Sequence, residues 1–149
     1  LSLGRLSSLI APNSFVRDDL RGLLGWVITL SNSSNQIEFG SFDPVSIFAY
    51  GDVSRLKLDA KLPLFKQLIE VSKTDPFFLR EDRWRNFSIK NYVCHETEGE
   101  ILKYLCDPDT NQDLLSLMLD ILASTDSIET FIHPLTSIVK SDEYQTHFR

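Results

Sequence analysis

The sequence predicts an all-α fold, a HEAT-like stack of antiparallel helical hairpins forming a short α-solenoid with no significant sheet. Three observations predict it. Apolar residues recur at helical spacing in successive segments. No alternation of apolar and polar residues is long enough to make a half-buried strand. The turns are written in Asp-Pro and Gly-Asp, pairs that start and stop helices. With 149 residues, the chain can form one domain with a real core, or four to five stacked helical pairs.

Residues 15–30 place Val16, Leu20, Leu23, Leu24, Val27 and Leu30 on one helical stripe, with Arg17 and Arg21 off it and Asn13 or Ser14 as cap. Gly22 and Gly25 each weaken that helix by ~1 kcal/mol relative to Ala. They leave room for a neighbouring helix beside Trp26, which is therefore expected to be buried. Ser31 to Asn35 reads as a loop, and Gln36 to Phe42 as either a helical turn or an extended piece.

Asp43 before Pro44 marks a helix start, since the carboxylate can accept free backbone N–H groups and Pro suits the first helical position. Val45, Phe48 and Ala49 give this helix an inward face. Gly51 after Tyr50 is expected to end it with positive φ. Leu58 to Ser72 is the best-marked helix, with Leu58, Leu62, Phe65, Leu68, Ile69 and Ser72 at helical spacing. Pro63 lacks an N–H and crowds the preceding turn, which moves the expected start of regular helix to about Leu62.

Asp75-Pro76-Phe77-Phe78 closes the unit, and Leu79 to Tyr92 is the least regular stretch. Glu98 to Leu105 reads as a helix with Ile101, Leu102 and Leu105 inside, stopped by Asp107-Pro108. Asp113 to Ala123 carries a broad apolar face of Leu114, Leu115, Leu117, Met118, Ile121 and Leu122, as a helix between two neighbours would. Pro134 to Lys140 is a further short helix. Residues 101–107 and 135–142 repeat a helix with an acidic ending at an offset of about 34 residues, within the range of helical-hairpin arrays. The whole is read as one helical region, 1–149, with possible sub-units 1–79 and 92–149 joined by an irregular connection at 80–91.

The phrase Asp43-Pro-Val-Ser-Ile-Phe-Ala-Tyr-Gly-Asp, with the long amphipathic helix and Asp75-Pro-Phe-Phe after it, resembles the helical region behind the nucleotide-binding core of bacterial NACHT-type STAND NTPases. These are signal-transduction P-loop ATPases that include antiviral defence sensors. The resemblance covers roughly residues 5 to 145. It implies a non-catalytic helical linker or arm, coupling the nucleotide-binding core to a sensor or effector region. ATP and Mg would be bound upstream in that parent, with no cofactor in this segment, and the location would be cytoplasmic. A free-standing helical-repeat adaptor that binds a protein or peptide is the alternative.

The residues themselves exclude several chemistries. No Gly-Lys-Ser/Thr loop is present to cradle phosphates. Cys94, His95 and Glu96 are adjacent, so their side chains diverge, and His133 and His147 stand alone, so no metal site is expected. Cys94 and Cys106 are expected to be buried free thiols. Asp18-Asp19 and Asp107-Pro-Asp109 fall at caps and turns rather than at a catalytic pair.

Lys and Arg number 15 against 21 Asp and Glu, a balance that disfavours nucleic acid. No apolar run approaches the roughly 20 residues of a membrane span. The one mixed basic and aromatic stretch holds Arg80, Arg83, Trp84, Arg85 and Phe87, with Glu81 and Asp82 blunting its field. Its plainest reading has Trp84 and Phe87 anchoring a connection to the helical core while the arginines stay solvated. Its functional reading is a contact with a neighbouring domain of the same chain or with a protein partner.

The chain starts at Leu1 and has one Met, at 118, and Asp142 to Thr146 opens a further helix. A segment of a longer polypeptide is expected. It would leave an apolar face at Leu135, Ile138, Val139 and Phe148, prone to self-association.

Overall fold

The computed structural model describes residues 3–10, 12, 16–75, 92–126 and 128–140, and every regular element among them is helical. The α-helices are α1 (Leu3–Ile10), α2 (Arg21–Thr29), α3 (Ser33–Gly40), α4 (Pro44–Tyr50), α5 (Leu58–Thr74), α6 (His95–Cys106), α7 (Gln112–Ala123) and α8 (Ile132–Lys140). Short 3₁₀ turns precede α2, α5 and α8, at Asp18–Leu20, Val53–Arg55 and Glu129–Phe131. None of the described helices is long and apolar enough to cross a membrane.

Packing runs in one order through the molecule. α2 lies against α3 and α4, these two lie against α5, α5 meets α6 and α7, and α6 carries α7 and α8. α4 is the innermost short helix: all six residues from Pro44 to Ala49 are buried. Its start matches expectation, with the Asp43 carboxylate accepting from the Ser46 N–H at 3.1 Å and Pro44 in the first turn. α5 buries Ala60, Leu64, Phe65, Leu68, Ile69 and Ser72. All six apolar residues expected on the broad face of α7 are buried, as a helix packed on two sides requires.

Tyr92 ties the chain after the connection to the helices before it. Its ring is fully buried, edge-on to Phe48 at 5.1 Å and tilted against Phe65 at 5.9 Å. Its hydroxyl donates to the Lys61 carbonyl of α5 at 2.7 Å. Burial pushes this phenol well above its ordinary pKa, which keeps it a donor.

Several expectations are corrected. α5 begins at Leu58 rather than near Leu62, with Pro63 inside it. The proline removes only the bond that the Asp59 carbonyl would accept, and Asp59 is exposed, so water can meet that oxygen. Starting early is what carries Ala60 into the core. The Ser31–Asn35 loop is mostly helix: the Asn32 side chain accepts from the Asn35 N–H at 3.0 Å and caps α3.

α6 begins three residues before Glu98, at His95. Thr97 makes that start, accepting from the Cys94 N–H at 3.1 Å and donating to the Tyr92 carbonyl at 2.9 Å. Neither cysteine is fully buried: Cys106 is exposed and Cys94 half-buried.

Gly51 has φ −84° and ψ 166°, an extended ending rather than a left-handed one. The glycine is required for space. A Cβ there would lie 2.7 Å from the Ile47 carbonyl oxygen and 2.8 Å from that of Gly25. Gly25 is the other half of this contact, since its Cβ would fall 2.5 Å from the Ser46 carbonyl oxygen. Close approach at Gly25 is thus real, but Trp26 is not beside it. One residue on, it turns about 100° away from the Gly25 face and is 47% exposed.

Candidate functional site

The site builds up from the junction where α2 ends and α5 begins. Thr29 closes α2 by donating its hydroxyl to the Gly25 carbonyl at 3.0 Å, and Ser31 does the same to Val27 at 2.6 Å. The next wall is the turn after α4. Asp52 accepts from the Ser54 N–H at 3.2 Å and pairs with Arg55 at 3.1 Å. The Ser54 hydroxyl, ahead of Arg55, holds the Asp52 carboxyl below its ordinary pKa.

Gln36, fully buried on α3, joins the two walls. Its amide nitrogen donates towards the carbonyls of Ser31 (3.1 Å), Thr29 (3.3 Å) and Arg55 (3.4 Å). Its amide oxygen accepts from the Lys57 N–H at 2.8 Å. One side chain therefore fixes the end of α2 against the start of α5, satisfying backbone groups that no helix ladder reaches. At the start of α2, Arg21 reaches Asp43 at 2.7 Å and Ser46 at 3.0 Å, and the Ser46 hydroxyl also bonds Asp43. Both sides of this ion pair are largely buried, which locks α2 onto the start of α4.

Between the walls lies an open groove of about 370 Å³ lined by Thr29, Leu30, Ser54, Arg55, Lys57 and Leu58, among others. Leu30 and Leu58, expected to face inward, stand on its two sides at 61% and 57% exposure. From Leu30 the apolar surface continues along α2 through Trp26 to Leu23, which is also exposed. The buried face of α2 is instead Leu24, Gly25, Ile28 and Thr29.

A second outward face lies on α8. Val139 is 71% exposed and Ile132 53%, with Leu135 half-buried between them around a shallow depression that Thr136 and Lys140 complete. This agrees with the expected exposure of Val139. Leu135 and Ile138 are partly covered by the core, and Phe148 lies outside the described residues.

Arg80, Arg83, Trp84, Arg85 and Phe87, singled out from the sequence, all lie outside the described residues. Among the described residues no group of three His, Cys, Asp or Glu side chains could hold a metal ion. Cys94, His95 and Glu96 serve the start of α6. The Cys94 thiol holds the Glu96 carboxyl below its ordinary pKa by hydrogen bonding. Comparison of the chain with family models, curated proteins and solved structures returns no match.

The groove and the stripe present apolar side chains and fixed backbone, with Arg55 and Lys57 at one end. The sequence did contain a signal for them. Leu23, Trp26 and Leu30 occupy one side of α2, and Leu24 and Ile28 another. An apolar pattern that goes round a helix asks for cover on both sides.

Proposed function

We propose that this chain is a non-catalytic helical arm of a NACHT-type STAND ATPase, coupling a nucleotide-binding core to a sensor or effector region. The observation that carries the reading is the pair of outward apolar faces. Leu23, Trp26, Leu30 and Leu58 form one, and Ile132 and Val139 lie in the other. Their helices α2 and α8 sit at the two ends of the packing order, with α5 and α6 between them, and Leu58 joins the first face from the start of α5. An arm that joins two bodies needs a docking face at each end and a stiff middle. α5 supplies the middle: at 17 residues it spans about 25 Å, and both groups of helices pack on it.

The chemistry of this segment is recognition, and ATP with Mg belongs to the core upstream. The resemblance in residues 43–78 supplies the parent. The groove at Leu30 and Leu58 favours one second reading, a free-standing adaptor that takes a peptide or protein partner.

The test is made in the longer polypeptide that contains this chain. A Walker motif should lie upstream. Trp26→Glu and Val139→Glu should each reduce the triggered response of that protein while nucleotide binding to its core is unchanged. Absence of a Walker motif, or full response with both substitutions, would overturn the arm reading. An upstream sequence with no second domain, together with peptide binding lost in Leu58→Glu, would support the adaptor.

A further inference from the structure

α8 is held to the rest of the molecule more weakly than the two helices before it. α7 buries six of its twelve residues and α6 buries Thr97, Ile101 and Leu105, but only Pro134 of the nine in α8 is buried. Leu135 and Ile138 are half-covered, while Ile132 and Val139 face outward. Apart from the 3₁₀ turn that leads into it, the main support of α8 is α6.

Its own hydrogen-bond ladder adds little. A nine-residue helix is shorter than the roughly 12–15 residues at which an isolated helix becomes even marginal in water. Pro134 has no N–H to contribute. Thr136 and Ser137 turn their hydroxyls back onto the carbonyls of Ile132 at 2.7 Å and His133 at 3.1 Å, an arrangement that loosens helices. Ile132, Thr136, Ile138 and Val139 are β-branched, which lowers helix propensity further.

The anchoring changes at one step of the chain. Phe131 is fully buried in the core, and its N–H bonds the Ile128 carbonyl at 2.9 Å. The next residue, Ile132, is already 53% exposed. Everything up to Phe131 is fixed by burial, and everything after it rests on one buried proline and two half-covered side chains.

We propose that α8 is a hinged flap, which leaves the α6 face as a unit and unwinds, turning at the Phe131–Ile132 step. Phe131 and the packing of α2 to α7 stay in place. Opening frees Leu135 and Ile138, so the open segment presents four apolar side chains where the closed helix presents Ile132 and Val139. The flap is a property of the chain itself and does not depend on what docks at α8.

Amide hydrogen exchange of the 149-residue chain, followed by NMR at several urea concentrations below the unfolding transition, tests this. The N–H groups of Thr136 to Lys140 should be at least about tenfold less protected than those inside α5 and α7. Their rates should hardly respond to urea, because undocking exposes little surface. Ser137→Pro, at an exposed position, breaks α8 by removing the bond to the His133 carbonyl. The substituted chain should keep one cooperative urea transition. Its α5 protection should fall by no more than the protection α8 shows in the unsubstituted chain, since undocking is the one step the substitution completes.

Exchange of Thr136 to Lys140 at the rates of α7, with the same urea dependence, would overturn the proposal. So would a larger fall in α5 protection, or loss of the cooperative transition, in Ser137→Pro.

Discussion

Truncating Gln36 to Ala removes the bridge between the end of α2 and the start of α5. The side chain is fully buried and accepts the Lys57 N–H at 2.8 Å, its shortest bond, while donating to carbonyls at 3.1–3.4 Å. Leaving the Lys57 donor and the Ser31 carbonyl without partners costs about 1–3 kcal/mol. The space left by the amide adds ~1 kcal/mol, held down because the adjoining groove can admit water. A loss of about 2–4 kcal/mol is expected by urea denaturation with an unchanged slope, or a fall in Tm of roughly 6–12 °C for a chain of this size.

Gln36→Glu separates the parts of this reasoning. It keeps the acceptor for Lys57 but sets a carboxylate against three carbonyl oxygens, so at neutral pH it should destabilise at least as much. Those oxygens and burial raise the folded-state pKa of the new carboxyl above its unfolded value of about 4.3. The folded state then binds the extra proton between the two values. The deficit should shrink as pH falls from 7 through the raised pKa, because the protonated acid can donate. A Gln36→Ala loss below about 1 kcal/mol, or a Glu variant whose deficit ignores pH, would refute the bridging role.

Other perturbations follow from the same packing. Gly25→Ala and Gly51→Ala should each cost about 2–3 kcal/mol in chemical denaturation, since the added Cβ meets backbone oxygens. Gly99→Ala should stabilise by about 0.5–1 kcal/mol, because nothing lies within 4 Å of its added carbon on the exposed part of α6. Pro63→Ala should raise Tm by restoring the bond to the Asp59 carbonyl, less whatever packing the half-buried ring provides. The lowered pKa of Asp52 means its contribution is present above the ordinary value of 3.8 and disappears as pH falls through the lowered value. Asp52→Asn should therefore flatten the acid limb of the stability–pH curve.

The elements with strong punctuation were legible in the sequence. Asp43-Pro44 starts α4 and the apolar face of α7 is buried, because caps and wide apolar patterns are decided locally. The errors share a physical origin. Asn32 reads as loop because an Asx cap and a loop use the same residues, and only the burial of Gln36 and Phe39 decides between them. Pro63 moves the expected start of the helix to about Leu62, whereas burial of Ala60 extends α5 back to Leu58.

The site was harder to see. Glycine spacing does say that a backbone comes close at Gly25, but not which flanking side chain faces it. The glycine spacing alone therefore places Trp26 on the wrong side of α2. Gln36 carried no signal, since its partners are backbone groups up to 21 residues away.

The exposure of Trp26 carries the most weight for the account, and oxidative footprinting by hydroxyl radicals reads it directly. In the dilute chain Trp26 should label readily, because it is 47% exposed in the single chain. Within the longer polypeptide its labelling should fall several-fold, while core residues such as Phe48 and Phe65 stay protected throughout. Equal labelling of Trp26 in the chain alone and in the longer polypeptide would mean that nothing covers the α2 stripe and that the docking role assigned to it is wrong.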